Sequence, residues 1–207
     1  MPAVSASALS DEQLMLRCRG AETEIARAIV GELARRHLER LAGFLFGLTG
    51  DRSGALDLAQ EAFVRVFRHR DRYKEIARFS TWLYTIGRNL ALNEIRNRKK
   101  RPDSSGSLRG SLDDSGESDP LNRFAGEGLS PAQAVEASEL QVLVRRAIET
   151  LPEHYRAPVI LCDLEERPYA EAAEILGIPI GTIRSRLSRA RAQLERTLRP
   201  QLSGYVP

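Results

Sequence analysis

The stretch PYAEAAEILGIPIGTIRSRLSRARAQLERTLR, residues 168–199, predicts two helices that meet at a tight turn. Pro168 and Pro179 each open a helix, because a proline at the first helical position loses no backbone hydrogen bond. Gly177 ends the first helix, since glycine readily adopts the left-handed conformation of a C-cap. Apolar residues of the second helix recur at steps of three and four and form one stripe. This stripe comprises Ile183, Leu187, Ala190, Leu194 and Leu198.

The opposite face of the second helix is basic. It carries Arg184, Ser185, Ser188, Arg189, Arg191, Arg196 and Arg199. Residues 181–199 contain six arginines and one carboxylate, that of Glu195. Two short helices with small residues at their crossing and a basic second helix are typical of a DNA-binding helix-turn-helix. A surface helical hairpin with solvated arginines is the competing interpretation, but the charge imbalance favours DNA binding.

The composition of the 207-residue chain predicts an all-α protein. Only 6% of its residues are aromatic and 29% are charged, and no alternating runs of Val, Ile and Thr indicate strands. The net charge of +3 is unevenly distributed: residues 1–101 hold 19 basic and 12 acidic residues (+7), residues 102–138 hold 2 and 7 (−5), and residues 139–207 hold 10 and 9 (+1). Such segregation indicates a polyanionic partner that is contacted at two separate places.

The acidic middle segment predicts a division into two small helical domains. Residues 102–138 contain eight Ser, five Gly and three Pro, a composition that cannot bury enough apolar surface to fold. Ser130 and Gln133 then restart order with a capping box. We therefore predict a disordered N-terminus (1–9), a helical domain (10–101), a flexible acidic linker (102–130), a second helical domain that ends in the helix-turn-helix (131–200), and a tail (201–207).

Several classes of function are disfavoured by the sequence. The two cysteines and three histidines are isolated from one another, which predicts no disulfide, metal site or cofactor; a redox role of Cys18 or Cys162 stays open. The N-terminus lacks the features of a signal peptide, and the longest apolar run, residues 41–48, is too short to span a membrane. No hydrolytic or redox constellation is present. We expect a cytoplasmic protein that is not an enzyme and does not insert into a membrane.

The helices of the N-terminal domain can be placed from local signals. Ser10 and Gln13 form a capping box that starts the first helix, and a second helix ends at a turn over residues 49–54. The third helix has one apolar face, which comprises Leu56, Ala59, Phe63, Val66 and Phe67. Residues 69–78 break the helical period and predict a loop, after which Ser80 or Thr81 caps a helix that runs to Arg101. In the second domain, helices are predicted at about 131–150, 152–165, 169–177 and 180–199.

The helix of residues 80–101 carries a stripe that turns from apolar to polar. Trp82 and Ile86 begin the stripe at helical spacing, and Asn89, Asn93, Arg96 and Lys100 continue it. Asparagine can form two hydrogen bonds with an adenine edge, and Arg and Lys neutralise phosphates. Cations at a helix C-terminus also favour the helix dipole, but the dipole does not account for two aligned asparagines. The stripe therefore predicts nucleic-acid contact.

The aromatic residues near this helix allow two roles. We place Trp82 in the core, whereas Tyr73, Phe79 and Tyr84 lie at or near the irregular loop and could stack on unpaired bases.

Three segments together resemble one protein family. They are DLAQEAFVRVF (57–67), FSTWLYTIGRNLALNEIRNRKKR (79–101) and LPEHYRAPVILCDLEERPYAEAAEILGIPIGTIRSRLSRARAQL (151–194). The chain resembles an extracytoplasmic-function (ECF, group 4) sigma factor of bacterial RNA polymerase with only the second and fourth conserved regions. The resemblance implies a factor that binds the β′ coiled coil and the β flap of core RNA polymerase, reads the −35 and −10 elements of promoter DNA, and promotes melting. It also implies an anti-sigma factor as a partner.

The same resemblance assigns residues to each contact. The −35 element is read by Thr182, Arg184, Ser185, Arg186, Ser188 and Arg189. The −10 element is contacted by Arg88, Asn89, Asn93, Arg96 and Lys100. Core polymerase is bound by Asp57, Gln60, Glu61, Phe63 and Val66. The loop of residues 69–79 matches one that captures a flipped-out base. Asn93 stands where many members carry aspartate and Gly87 where alanine is common, so the sequence of the −10 element cannot be carried over.

Three alternatives compete with this interpretation. A stand-alone helix-turn-helix regulator that binds DNA as a dimer accounts for residues 168–199 but leaves the segment of residues 57–67 and the asparagine stripe unexplained. A protein that mimics a sigma factor to titrate its inhibitor would carry a receiver domain, and no βα pattern is present. A nucleic-acid enzyme would need catalytic residues, and the sequence offers none.

Overall fold

The structure, a computed structural model, describes residues 8–100 and 131–202. Over these ranges it contains eight α-helices and no strand, which confirms the predicted all-α class. The helices are α1 (Asp11–Cys18), α2 (Thr23–Thr49), α3 (Arg52–Arg68), α4 (Phe79–Lys100), α5 (Pro131–Thr150), α6 (Glu153–Val159), α7 (Tyr169–Leu176) and α8 (Ile180–Leu202). They fall into two compact units, α1–α4 and α5–α8. The predicted linker, residues 102–130, lies outside the described residues.

The N-terminal unit begins with the predicted capping box. The hydroxyl of Ser10 accepts a hydrogen bond from the backbone N–H of Gln13 at 3.2 Å, and the Gln13 side chain accepts one from the N–H of Ser10 at 3.0 Å. The carbonyl of Leu9 accepts a hydrogen bond from Arg36 at 2.8 Å. The predicted disorder of residues 1–9 is therefore wrong at Leu9, because α2 fixes this residue, while residues 1–7 lie outside the described range.

Helices α2, α3 and α4 pack around the core of this unit. The core is built from large side chains that are fully buried, among them Leu33, Leu41, Phe44, Leu45, Phe79, Leu83 and Tyr84. The rings of Phe44 on α2 and Tyr84 on α4 lie 5.1 Å apart. Helix α4 approaches α2 closely at Gly87, where an added Cβ would lie 2.9 Å from Cδ1 of Leu41. The missing side chain at Gly87 thus sets the distance between the two helices.

Helix α1 holds the start of α4 through side-chain contacts. The carboxylate of Glu12 accepts a hydrogen bond from the backbone N–H of Phe79 at 3.1 Å. The carboxylate of Asp11 is bonded to Arg36 at 2.9 Å and to Nε2 of His37 at 2.6 Å, and His37 and Arg36 lower the pKa of Asp11 against the opposing effect of burial. Capping of α4 by Ser80 or Thr81 was wrongly predicted, because the helix begins at Phe79 and its cap comes from a distant segment.

The C-terminal unit packs α5, α6 and α7 against the apolar stripe of α8. Its core includes Ile148, Leu151, Ile160, Leu161, Ile175, Leu176, Ile183, Leu187 and Ala190. The single helix predicted over 152–165 consists of α6 followed by a π-helical turn, Ile160–Leu164. Pro158, which lies inside α6, has no backbone N–H to pair with the preceding turn. This break lies just before the point at which the hydrogen-bonding pattern widens to the π form.

The turn between α7 and α8 forms as the sequence predicts. Gly177 adopts the left-handed conformation, with φ of 62°. The N–H of Ile178 bonds the carbonyl of Ala173 at 3.1 Å and that of Gly177 bonds Glu174 at 3.2 Å, the pattern of a Schellman motif. Helix α8 then runs to Leu202, three residues past its predicted end, so the tail begins later than residue 201.

Candidate nucleic-acid interface

Helix α8 presents a polar face beside its buried stripe. Ile183, Leu187 and Ala190 are buried against the rest of the C-terminal unit. On the outer face, four of the predicted −35 residues are exposed: Arg184, Ser185, Ser188 and Arg189. Thr182 and Arg186 lie at the border and are partly exposed. The packing of one face therefore leaves the six predicted −35 residues accessible along the first three turns of α8.

The first four arginines of α8 divide into two groups. Arg184, Arg186 and Arg189 form no ion pair with any residue that the structure describes. Arg191 instead bonds both carboxylate oxygens of Asp163, at 2.6 and 3.2 Å, and the hydroxyl of Tyr169 at 3.3 Å. These bonds raise the pKa of Arg191 and join α8 to the π-helical turn and to the start of α7. Arg191 thus orients the helix, while the first group keeps charge available for a ligand.

On α4 the predicted stripe lies on the surface of the N-terminal unit. Trp82 and Ile86 are half-buried, and the four polar residues that follow are exposed: Asn89, Asn93, Arg96 and Lys100. Arg88 is partly exposed. The guanidinium of Arg96 donates to the side-chain oxygen of Asn93 at 3.3 Å. This arrangement brings amide groups and cations onto one accessible face of α4.

Another basic residue of α4, Arg98, serves a different purpose. Its guanidinium donates to Asp51 at 2.5 Å and to Glu94 at 2.9 Å. Asp51 also caps α3 by accepting from the N–H of Gly54 at 3.0 Å. The Gly54 N–H and then Arg98 lower the pKa of Asp51, while burial opposes them. Arg98 therefore fixes the end of α4 to the start of α3, a role that the charge pattern of the sequence alone did not show.

The aromatic residues near the loop are not available for stacking. Tyr73, Phe79 and Tyr84 are buried, so the prediction that they could stack on bases is wrong for the free protein. Tyr73 packs against Trp82 with ring centroids 5.4 Å apart, and burial, helped by nearby carboxylates, raises the pKa of Tyr73 to about 12. The exposed apolar side chain of this loop is that of Ile76, which is 87% accessible.

The predicted polymerase-binding residues of α3 fall on two faces. Asp57 and Gln60 are exposed, and Glu61 is partly exposed and paired with Arg65 at 2.9 Å. Phe63 and Val66, by contrast, are only 5% and 0% accessible. These two residues belong to the core, which corrects their predicted place on a docking surface. The accessible apolar side chains of α3 are Leu56 and Val64, at 42% and 41%. Leu56 is therefore exposed, although the helical period places it on the apolar face of this helix.

Neither cysteine lies in an activating environment. Cys18 is fully buried, and burial raises the pKa of its thiol. Burial and then the neighbouring carboxylate of Asp163 raise the pKa of Cys162 to about 11. Within residues 8–100 and 131–202, no cluster of His, Cys, Asp and Glu could hold a metal ion. None of the helices that the structure describes has the length and apolar character needed to cross a bilayer.

Comparison with known families matches both units. Residues 33–101 match the family described as Sigma-70 region 2, and residues 141–194 match the family described as Sigma-70, region 4. The chain is 33% identical over 161 residues to the ECF RNA polymerase sigma factor SigW of Bacillus subtilis, a match that covers 78% of this chain and 84% of SigW. The chain belongs to the ECF sigma factors. Members of this family are promoter-specific initiation factors of RNA polymerase.

Other ECF sigma factors show similar agreement. SigE of Mycolicibacterium smegmatis is 35% identical over 163 residues, which is 79% of this chain but only 59% of SigE. Among solved structures, the sigma factor RpoE of Bartonella quintana, in complex with the anti-sigma factor NepR, has a TM-score of 0.59 and 26% identity, with 82% of this chain and 96% of that chain covered. CnrH, solved with the cytosolic domain of CnrY, has a TM-score of 0.59 at 21% identity and supports the fold.

Proposed function

We propose that this ECF sigma factor binds core RNA polymerase, directs it to promoters by reading the −35 and −10 elements, and promotes melting of the DNA. The observation that carries the proposal is that each of the two units presents an accessible basic helix face, one on α4 and one on α8. A duplex with two separated recognition elements fits such an arrangement, since each face would contact one element.

Helix α8 would read the −35 element in the major groove. Arg184 and Arg189 are exposed and without an ion pair among the described residues, so each can donate two hydrogen bonds to guanine. Ser185 and Ser188 can donate to or accept from any base edge. Thr182 and Arg186, at the border of the buried face, are placed to hold the phosphate backbone.

Helix α4 would contact the −10 element. Asn89 and Asn93 offer amide groups to adenine edges, and Arg88, Arg96 and Lys100 offer charge to phosphates. Extrusion of a base from its stack costs a few kcal/mol. The loop before α4 could offset part of that cost through the accessible apolar side chain of Ile76, because Tyr73 and Phe79 are buried in the core.

Helix α3 would bind core polymerase. Asp57, Gln60 and Glu61 provide the polar part of this surface. Leu56 and Val64 provide its apolar part, in place of the buried Phe63 and Val66. Leu56, Gln60 and Val64 follow one another at one-turn spacing on α3, so apolar and polar groups alternate along this side of the helix, as they do in protein interfaces. We assign this surface to the β′ coiled coil and the C-terminal unit to the β flap.

Binding to polymerase would make the two DNA contacts act together. Each face alone offers only a few cations, so the free protein should bind DNA weakly and with a steep dependence on salt. When polymerase holds both units, the second contact becomes intramolecular and its effective concentration rises. The chain would act in the cytoplasm as a non-enzymatic factor. The RpoE neighbour was solved with an anti-sigma factor, which supports the proposal that such an inhibitor also binds this chain.

Transcription in vitro with purified core polymerase tests the proposal. Genomic fragments serve as templates, and transcript start sites are mapped with and without the protein. We expect discrete starts that depend on the protein and lose strength when Arg184 and Arg189 are both replaced by alanine. Starts that do not depend on the protein would refute the proposal. Specific binding of an operator by the free protein as a dimer, to which polymerase adds nothing, would show that the chain is a stand-alone regulator.

A further inference from the structure

Two hydrogen bonds from α1 hold the two ends of the loop that precedes α4. At the first end, the carboxylate of Asp71, in the 3-10 turn after α3, accepts the backbone N–H of Gly20 at 2.9 Å. At the second end, the carboxylate of Glu12 accepts the backbone N–H of Phe79 at 3.1 Å. Glu12 lies in the first turn of α1, and Gly20 lies just past its last turn. We call these bonds the α1 tethers and residues 73–78 the α4 loop.

Helix α1 is itself firmly held, so it can serve as a support for the loop. Its apolar face is buried in the core and comprises Leu14, Met15 and Cys18. The carboxylate of Asp11 bonds Arg36 of α2 at 2.9 Å and His37 at 2.6 Å. Helix α2 in turn packs against both α3 and α4. The tethers therefore connect the α4 loop to the centre of the N-terminal unit.

The outer part of the α4 loop has few contacts of its own. Tyr73, at its start, is buried and packs against Trp82 with ring centroids 5.4 Å apart. The residues that follow are exposed except for the partly exposed Ala77, and Ile76 is 87% accessible. The eight residues from Asp71 to the start of α4 would span about 26–29 Å if fully extended, whereas α1 from Glu12 to its end is only about 9 Å long. The excess length bows outward, and its position depends on how its ends are held.

Helix capping accounts for one tether but not for the other. A carboxylate at the start of a helix satisfies an N–H that lacks a partner in the helix and favours the helix dipole, and Glu12 does so for α4. The bond between Gly20 and Asp71 lies at the other end of the loop, before α4 begins. What the two bonds share is that each joins α1 to one end of the α4 loop.

We propose that Glu12 is a positioning residue for opening of the −10 element: together with the bond between Gly20 and Asp71, it holds the α4 loop in the place from which the loop acts on DNA. The inference rests on the function proposed above, in which α4 and the loop before it meet this element. Glu12 acts through the N–H of Phe79 and does not itself contact DNA. Loss of a hydrogen bond to a charged group shifts the equilibrium between a held and a released loop by about tenfold or more.

Open-complex formation by the reconstituted holoenzyme tests the proposal. Glu12→Ala removes the acceptor, whereas the amide oxygen of Glu12→Gln can still accept the N–H of Phe79. Permanganate oxidation of unpaired thymines measures opening of the −10 element on a duplex promoter at fixed salt concentration. We expect Glu12→Ala to reduce opening by roughly tenfold and Glu12→Gln to restore most of it. Binding of a duplex fragment that contains only the −35 element should be unchanged in both variants.

The sign of the effect separates positioning from bulk electrostatics. Removal of a carboxylate makes the protein more positive, which by itself strengthens binding to DNA, whereas loss of a tether should weaken opening. The matched control is Glu39→Ala, because Glu39 is exposed on α2 and takes part in neither tether. This control should not reduce opening. Asp71→Ala, which removes the other tether, should reduce opening as Glu12→Ala does.

Hydrogen exchange of the Phe79 amide in the free protein reports the second tether directly. Exchange should be faster in Glu12→Ala and close to that of the unaltered protein in Glu12→Gln, because only the first variant leaves the N–H without its acceptor. Thermal unfolding of each variant identifies a loss of fold. If Glu12→Ala does not fold, Asp71→Ala tests the same loop without a change at the start of α4.

Several results would overturn the inference. Unchanged opening by a Glu12→Ala variant whose Phe79 amide exchanges faster means that the tether does not matter for DNA. Equal defects in Glu12→Ala and Glu12→Gln mean that the charge matters rather than the held loop. Equal losses of −35 binding and core-polymerase binding mean that Glu12 only stabilises the fold. Failure of the unaltered protein to open any promoter with core polymerase would refute the proposed function itself, a result distinct from an active holoenzyme that tolerates Glu12→Ala.

Discussion

Replacement of Arg191 by alanine should destabilise the C-terminal unit without weakening contact with DNA. The guanidinium of Arg191 holds both oxygens of Asp163 and the hydroxyl of Tyr169. The side chains of Arg191 and Asp163 are 53% and 26% accessible, so solvent screens the pair. We therefore expect a loss of about 0.5–1 kcal/mol, the upper range for exposed ion pairs. For a unit of this size the unfolding midpoint should fall by about 2–8 °C.

Arg189→Ala is the matched comparison, because Arg189 lies on the same helix but is exposed without an ion pair among the described residues. This variant should keep its unfolding midpoint but lose about 1–3 kcal/mol of −35 binding and relax the sequence preference. Circular dichroism of the full chain measures stability, and competition between promoter fragments measures binding by the holoenzyme. If Arg191→Ala keeps its stability but binds the −35 element less tightly, Arg191 leaves Asp163 for DNA and the division of the arginines is wrong.

Three other substitutions or reactions probe the described contacts. The double variant Gln60→Ala/Glu61→Ala should co-purify less core polymerase while its unfolding midpoint stays unchanged. Phe63→Ala should instead lower the free energy of unfolding by about 3–5 kcal/mol. A stable Phe63→Ala variant that loses polymerase, together with a double variant that keeps it, would contradict the assignment of α3. Gly87→Ala should lower the free energy of unfolding by up to about 2 kcal/mol. Crowding of Leu41 costs about 1–3 kcal/mol, and the higher helix propensity of alanine returns about 1 kcal/mol. A denaturation midpoint above that of the unaltered protein would refute this prediction. Cys162 should react slowly with iodoacetamide at neutral pH until the chain is unfolded, since partial burial and the carboxylate of Asp163 raise its pKa to about 11; rapid labelling of the folded protein would contradict this raised pKa.

Local sequence signals predicted the helices and one face of each. The left-handed cap at Gly177 and the spacing of Ile183, Leu187 and Ala190 follow from backbone preference and helical period. The structure therefore has the helix-turn-helix where the sequence places it. On α4, Asn89 and Asn93 continue the stripe that Trp82 begins, and the polar character of their side chains rather than the helical period predicted that this end of the stripe is accessible.

Contacts between distant segments could not be predicted from these signals. Glu12 caps α4 across 67 positions, and Arg191 meets Asp163 across 28. The sequence shows the charges of such residues but not which of them become neighbours in the fold. In the sequence, the arginines of a basic helix face cannot be told apart. In the structure, Arg98 forms an ion pair with Asp51 and Arg191 forms one with Asp163.

The sequence also did not determine whether residues that suit both a core and a binding surface are buried. A tyrosine can pack in a core or stack on bases, so the sequence allows both roles for Tyr73 and Tyr84. The packing of α2 and α4 buries both residues in the core. On α3 the period placed Phe63 and Val66 on the apolar face, but the resemblance placed them on the docking surface. The structure agrees with the period.

The central claim is that polymerase makes two weak DNA contacts act as one. Its most direct test compares the affinity of the free protein and of the holoenzyme for the same promoter fragment at the same salt concentration. We predict weak binding with little sequence preference by the free protein, and tight binding by the holoenzyme that requires both the −35 and the −10 element. Specific binding by the free protein as tight as that of the holoenzyme would contradict the claim.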